Sequence, residues 1–314
     1  MPISWLELGI NTNLGRELRW LSTYQEECNM SPKLPVHNSQ TITEFLNLHQ
    51  NRISEEDSDD SYKFAFDDEA FLARRETMGI RFELELLKPE VLLKEHGIEH
   101  TITVFGSTRF LSYAQALELE KSAKTPEQVA AAKKALLHSK YYESAREFGS
   151  LVAQYNATQK KNSNKLHICT GGGPGIMEAA NRGAFEAGDK TIGFNISLPR
   201  EQHPNQYISQ GLSFRFHYFA LRKMHFMLRA RAIVAYPGGF GSFDELFEVL
   251  TLIQTKKVVP IPVILVGKSY WNEMLNFKQM VEFGVIDEED MHTIHFSETA
   301  QEAWQIICDC YRLG

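Results

Sequence analysis

The sequence predicts an α/β fold: a doubly wound, mainly parallel sheet with helices on both faces, preceded by a mostly helical N-terminal extension. Three observations carry this. Short apolar runs alternate with helical text from residue 100 onward, the pattern of parallel strands joined by crossover helices. Four of the five runs end in glycine- or serine-bearing turns, as strand tips do in such sheets. Before residue 98 the text is helical and broken, with no glycine-rich loop, which divides the chain into an extension over 1–97 and a sheet domain over 98–314.

The elements follow in order. In the extension, "SWLELGINTNLGRELRWLSTYQEE" reads as one or two short helices, "SPKLPVHNSQ" as a connection, and the acidic run "SEEDSDDS" (54–61) as a solvated linker or a helix start. Apolar residues at helical spacing around Phe71, Leu72, Ile80, Phe82, Leu84, Leu86 and Leu87 predict a helix that stops at Pro89. The predicted strands are "TITVFGS" (101–107), "LHICTGGG" (166–173), "TIGFNIS" (191–197), "AIVAYPGG" (232–239) and "IPVILVG" (261–267). The helices between them are "PEQVAAAKKALLHSKYYESAREFGSLVAQY", "IMEAANRGAFEAG", "FALRKMHFMLRARA" and "FDELFEVLTLIQTKK". Apolar runs of this length suit strands buried on both faces.

Composition narrows the function. The chain has 314 residues, 43% hydrophobic and 23% charged, with 33 basic against 40 acidic side chains and a net charge of −7. An acidic balance argues against a general nucleic-acid binder. No run approaches the roughly 18 apolar residues of a membrane helix, and the first residues lack the layout of a secretory signal. Cys28, Cys169, Cys308 and Cys310 form no C-x-x-C, so the expectation is reduced thiols and a cytoplasmic protein with no membrane partner. His217 and His225 suit aromatic packing; His292 and His295 lack a third ligand. No metal and no cofactor is assigned.

Two glycine loops carry the chemistry. In "TGGGPGIMEAANRGA" (170–184) a strand enters a glycine turn and a helix leaves it, so backbone N–H groups and the helix dipole can meet a phosphate. The dinucleotide fingerprint G-x-G-x-x-G fails here: its sixth position falls on Ile176 or Glu178, and Asn195 stands where an acidic ribose ligand belongs. A P-loop fails too, because Pro262 stands where "GKS" (267–269) would need glycine. In "AYPGGFGSFDELFEV" (235–249), Ser242 and Glu245 have capping-box spacing, and Asp244 and Glu245 suit the first turn of a helix. A cap and a phosphate site are both open on spacing alone. Arg222 and Lys223, in the aromatic "FRFHYFALRKMHF" (214–226), are either solvated cations or buried groups facing an anion.

Together, "VFGSTR" (104–109), "TGGGPGIMEAANRGA", "LRK" (221–223) and "PGGFGSFDELFE" (237–248) resemble the Lonely Guy family, phosphoribohydrolases of nucleoside 5′-monophosphates once labelled possible lysine decarboxylases. "NISLPREQHPN" (195–205) and "VLTLIQTKK" (249–257) resemble its longer bacterial branch, and the likeness spans roughly 98–312. It implies a Rossmann-like nucleotide-binding domain, hydrolysis of an N-glycosidic bond, and a homodimer or higher homo-oligomer. It assigns catalysis to Arg222 and Glu245. Substrate contacts fall to Gly106, Ser107, Gly172, Gly173, Gly175, Ile176, Met177, Asn195, Glu201, Lys223, Gly238, Gly239, Phe240, Gly241, Ser242 and Asp244. The sequence departs from the family in three ways: Ser242 replaces a threonine, about 25 extra residues lie between Arg109 and Tyr141, and the first ~95 residues have no counterpart in the short enzymes. The alternative is a nucleotide-binding or carrier protein on the same fold without turnover. A decarboxylase is disfavoured, because no Schiff-base lysine stands out.

Overall fold

The structure, a computed structural model, describes residues 60–197 and 203–313; Cys28, Glu201 and the segments expected before residue 60 lie outside them. The chain falls into two compact units, 1–69 and 70–314. The described part of the first is a 3-10 turn at Asp60–Tyr62 and a stacked pair, Phe64 on Phe66 at 5.3 Å.

A short helix, α1 (Glu69–Leu72), leads into the second unit and α2 (Met78–Glu95) follows. Here the expectation is corrected, because α2 runs through Pro89 for another six residues. Proline removes one helical hydrogen bond, but this one is buried on the inner face of α2, as is Leu93. The opposite face of α2 carries Ile80, Leu84, Leu87 and Val91, each about half exposed.

The remaining elements are β1 (Thr101–Phe105), α3 (Tyr113–Ser122), α4 (Pro126–Thr158), β2 (His167–Thr170), α5 (Ile176–Glu186), β3 (Thr191–Ile196), β4 (Ser213–Phe216), α6 (Phe219–Leu228), β5 (Ala230–Ala235), α7 (Phe240–Gln254), β6 (Val263–Val266), α8 (Lys268–Met274), α9 (Phe277–Glu282), β7 (Ile294–Ser297) and α10 (Ala300–Tyr311). All strand pairs are parallel, in the order β4-β3-β2-β1-β5-β6-β7. The chain winds outward from β1 through β4, returns to β5 on the other side of β1, and winds outward again. The fold is therefore the doubly wound one expected. Sequence reading missed two strands, β4 and β7, both at the sheet's edges.

Strand residues alternate between two cores. Ile102, Val104, Ile168, Ala232, Val234, Ile264 and Val266 face one, with Tyr142 and Phe148 of α4, Ala179 of α5 and Ile307 of α10. Phe105, Cys169, Ile233, Ala235, Val263 and Leu265 face the other, with Leu93 of α2, Phe226 of α6, Leu246 of α7 and Trp271 of α8. Apolar burial on both faces explains the near-continuous hydrophobic strands. The helical insert is realised as α3 and the first half of α4. Thr125 and Gln128 cap α4 reciprocally, at 3.3 and 3.2 Å, with Pro126 opening the helix. No described helix is long and apolar enough to cross a membrane.

Candidate active site

The winding reverses between β1 and β5, so the loops leaving these strands diverge and open a crevice at their carboxyl ends. Phe105 pairs with Ala235 at the rim. Just beyond, Ser107 N–H donates to the Pro237 carbonyl at 3.0 Å, and the Ser107 carbonyl accepts from Ile176 N–H at 3.0 Å. One residue thus joins the β1, β2 and β5 loops. Glycine is required where they touch. A Cβ on Gly106 would lie 2.7 Å from Ile176, and one on Gly175, at φ +71°, would lie 2.3 Å from the Ser107 carbonyl.

The loop after β2 is braced from one side. Asn205 donates its N–H to the Gly172 carbonyl at 2.8 Å and its amide to the Gly173 carbonyl at 3.1 Å. A trans peptide sets N–H opposite C=O, so the Gly173 N–H is turned away from Asn205. Two expected donors are committed within the chain: Gly172 N–H to Thr170 Oγ1 at 3.0 Å, and Ile176 N–H to Ser107. Among the described residues, no acceptor bonds the N–H of Gly173, Gly175 or Met177. The Asn195 side chain, at the tip of β3, lies against Gly172 and donates to the Phe214 carbonyl at 3.2 Å.

The loop after β5 corrects the capping-box expectation. Helix α7 opens at Phe240 with Gly239 as its N-cap and no side-chain cap. Ser242 lies inside the first turn, its N–H donating to the Gly239 carbonyl at 2.9 Å. Its Oγ occupies the space beside Gly238, where a Cβ would lie 2.1 Å away. Gly238 is fixed from outside by Tyr270, whose hydroxyl donates to its carbonyl at 2.5 Å. The N–H groups of Gly239, Phe240 and Gly241 have no acceptor among the described residues. They form the donor-rich end of a 15-residue helix. The Phe240 side chain is 97% exposed, so this residue offers its backbone and leaves its ring in solvent.

Released from capping, Glu245 turns to α6. Its Oε1 lies 3.8 Å from an Arg222 terminal nitrogen and its Oε2 lies 3.6 Å from Lys223 Nζ. Both contacts exceed hydrogen-bond length, so the carboxylate is held by charge and keeps its lone pairs for another donor. Burial pushes its pKa up, against the pull of Lys223 and Arg222. Arg222 is itself fixed: its Nε donates to the Phe194 carbonyl at 2.8 Å, and its guanidinium lies over the Phe226 ring at 4.9 Å. Burial lowers its pKa, partly countered by Glu245. Lys223 is bound by Glu248 at 2.6 Å and Asp244 at 2.8 Å; burial pulls its pKa down, but these carboxylates outweigh it and hold it up.

The structure therefore gathers Gly106, Ser107, Gly172, Gly173, Gly175, Ile176, Met177, Asn195, Arg222, Lys223, Gly238, Gly239, Phe240, Gly241, Ser242, Asp244 and Glu245 onto the strand-tip loops and the helices that flank them. Sequence reading missed Gly171, where a Cβ would lie 2.5 Å from an Arg222 terminal nitrogen. It also missed Asn205, Tyr270 and Glu248. Only Glu248 left a signal, four residues after Asp244 on a helix. His225 packs between Phe194 and Phe216, and His217, exposed just before α6, stands edge-on to the Tyr218 ring at 4.7 Å, so both histidines make aromatic contacts. Among the described residues no group of three or more His, Cys, Asp or Glu could hold a metal.

Residues 177–307 match the family model described as "Possible lysine decarboxylase". A pyrimidine/purine nucleotide 5′-monophosphate nucleosidase of Escherichia coli is 30% identical over 155 residues, 46% of this chain and 32% of that protein. A cytokinin riboside 5′-monophosphate phosphoribohydrolase of Arabidopsis thaliana is 29% identical over 148 residues, 45% of this chain and 66% of that protein. Over these stretches the chain is similar to the Lonely Guy family. It spans about a third of the length of the bacterial relative and about two thirds of the plant one. Among solved structures, a molybdenum cofactor binding protein from Rippkaea orientalis aligns at 18% identity with a TM-score of 0.43, covering 68% of this chain and 98% of that one. A likeness at that score carries no argument about function. The family-model match starts at Met177, inside α5. Arg222 and Glu245 fall within it, while α2, β1 and most of the first glycine loop fall before it.

Proposed function

We propose that this protein is a member of the Lonely Guy family and hydrolyses nucleoside 5′-monophosphates at the N-glycosidic bond, taking up one water and releasing the free base and ribose 5-phosphate. One observation carries the reading. Arg222 and Glu245 come from different helices and meet 3.8 Å apart at the strand-tip crevice, beside the unpaired N–H groups that open α7. The 5′-phosphate is assigned to the N–H groups of Gly239, Phe240 and Gly241, with Gly173 and Met177 opposite. Cleavage builds positive charge on the sugar. The Glu245 carboxylate stabilises that charge and orients or deprotonates the water. Arg222 holds the nucleotide and assists departure of the base. Lys223, bound to Asp244 and Glu248, keeps the surrounding carboxylates in place and Glu245 ionised.

The test is a panel of AMP, GMP, CMP, UMP and an adenine-prenylated AMP, read as ribose 5-phosphate release. Glu245→Gln is expected to reduce turnover by about 10²–10⁴ while nucleotide still binds. Binding without release by the unmodified protein would instead mark a nucleotide carrier.

A homodimer is part of the same proposal. The spacing of Ile80, Leu84, Leu87 and Val91 along α2, steps of four, three and four, is that of a helix-pairing seam, which supports self-association. Leu84→Glu with Leu87→Glu is expected to shift a dimer to monomer in sedimentation; an unchanged dimer would move the interface elsewhere.

A further inference from the structure

Helix α2 precedes the stretch that matches the family model, yet it holds both ends of the helix that carries Arg222. Helix α6 has Tyr218 as its N-cap and no side-chain cap of its own. The cap comes from α2: Glu85 accepts from His217 N–H at 2.9 Å with one oxygen and from Tyr218 N–H at 3.2 Å with the other. A carboxylate here satisfies two N–H groups left open at a helix start and opposes the helix dipole. Arg81 adds a 3.2 Å bond to the Tyr218 hydroxyl, and Phe82 packs edge-on to the Tyr218 ring at 4.1 Å. At the far end, Glu90 accepts from Arg229, the C-cap of α6, at 2.7 Å and lies 3.6 Å from His225 Nδ1. Arg229 also reaches the Ile98 carbonyl at 3.2 Å.

We infer that Glu85 and Glu90 are positioning residues for Arg222, which makes α2 a working part of the active site although it contributes no group to the crevice. The inference rests on the proposed role of Arg222. No hydrogen bond joins Arg222 to Glu245, so where α6 sits along its axis sets the distance between them. A slip of one residue would move Arg222 by about 1.5 Å, and a 1 Å misplacement can cost about a hundredfold in rate. Glu85 and Glu90 anchor α6 on either side of Arg222, which lies four residues after Tyr218 and seven before Arg229. Their partners are 132 to 139 residues away in sequence, so these bonds serve the packing of α6 and not the local stability of α2.

The experiment uses the full chain carrying Glu85→Gln and Glu90→Gln, singly and together, with Lys88→Ala on the same helix as control. Each single change is expected to lower kcat for AMP about tenfold with KM within about twofold, and the pair about a hundredfold. The Arg222 Nε–H, bonded to Phe194, is expected to exchange faster with solvent in the double variant, measured by NMR well below its melting temperature. Lys88→Ala is expected to change neither. Should the double variant melt too low to study, Glu90→Asp, which keeps the charge but shortens the reach, is expected to show an intermediate loss of kcat and intermediate exchange. A drop in melting temperature with Arg222 exchange unchanged would reduce the two glutamates to structural contacts and overturn the inference. If the unmodified protein releases no ribose 5-phosphate, the nucleosidase reading falls, and the Arg222 exchange still decides the positioning role.

Discussion

Glu245 sits where burial and charge oppose each other. Burial raises its pKa above the ordinary glutamate value of 4.5, and Lys223 and Arg222 counter only part of that. As a catalyst it must be ionised. The acid limb of kcat/KM is therefore expected above pH 4.5, and Glu245→Gln should remove that limb together with turnover. Its effect on stability has the opposite sign. A carboxylate whose folded pKa is raised favours the native state below its unfolded value, and that advantage is lost as pH rises through the raised one. Melting temperatures of the unmodified protein and Glu245→Gln should thus diverge in favour of the variant as pH rises through the activity limb. A limb at or below the ordinary value would mean that the pull of Lys223 and Arg222 offsets burial in full.

At the scale of elements, the closest approach is the crossing of α4 and α5. A Cβ on Gly183 would lie 1.7 Å from the Arg146 carbonyl oxygen, and one on Gly149 would lie 2.2 Å from that of Ala180. Both obstacles are backbone, so a whole helix must move. Gly183→Ala is expected to cost about 1–3 kcal/mol, seen as a fall of several degrees in melting temperature. What the sequence made legible follows the same logic of local against tertiary causes. The long α4 was legible from its helical text, and the structure adds a capping box at Thr125-Pro126-Glu127-Gln128. Ser242-Phe243-Asp244-Glu245 has the equivalent spacing and did not cap, because the helix starts three residues earlier at Gly239. Gly238 leaves room for the serine hydroxyl there, a packing fact that spacing does not carry. The central strands were readable because both their faces are apolar. Strands β4 and β7 have four residues each; β4 alternates exposed and buried, and β7 is mostly half-buried. Arg222 and Glu245 were found through motif resemblance, whereas Asn205 and Tyr270, which brace the glycine loops, belong to no motif.

For the molecule as a whole, the strand order does most to explain where chemistry can occur. Reversal between β1 and β5 puts two glycine loops at one crevice, and α6 and α7 bring cation and carboxylate to its flank. Removing residues 1–69 is expected to leave a chain that melts cooperatively, since 70–314 forms a compact unit with its own cores. Loss of folding on that truncation would make the first segment part of the domain. Ser107 has a consequence of another kind. Its N–H and C=O tie the loops on either side of it, so neither loop can swing without straining the other. The mouth of the crevice then behaves as a ring of fixed width and not as a gate. Ligand escape should follow the strength of the ligand's own contacts, with no microsecond-to-millisecond exchange in relaxation dispersion at Gly106, Ile176 or Pro237's neighbours.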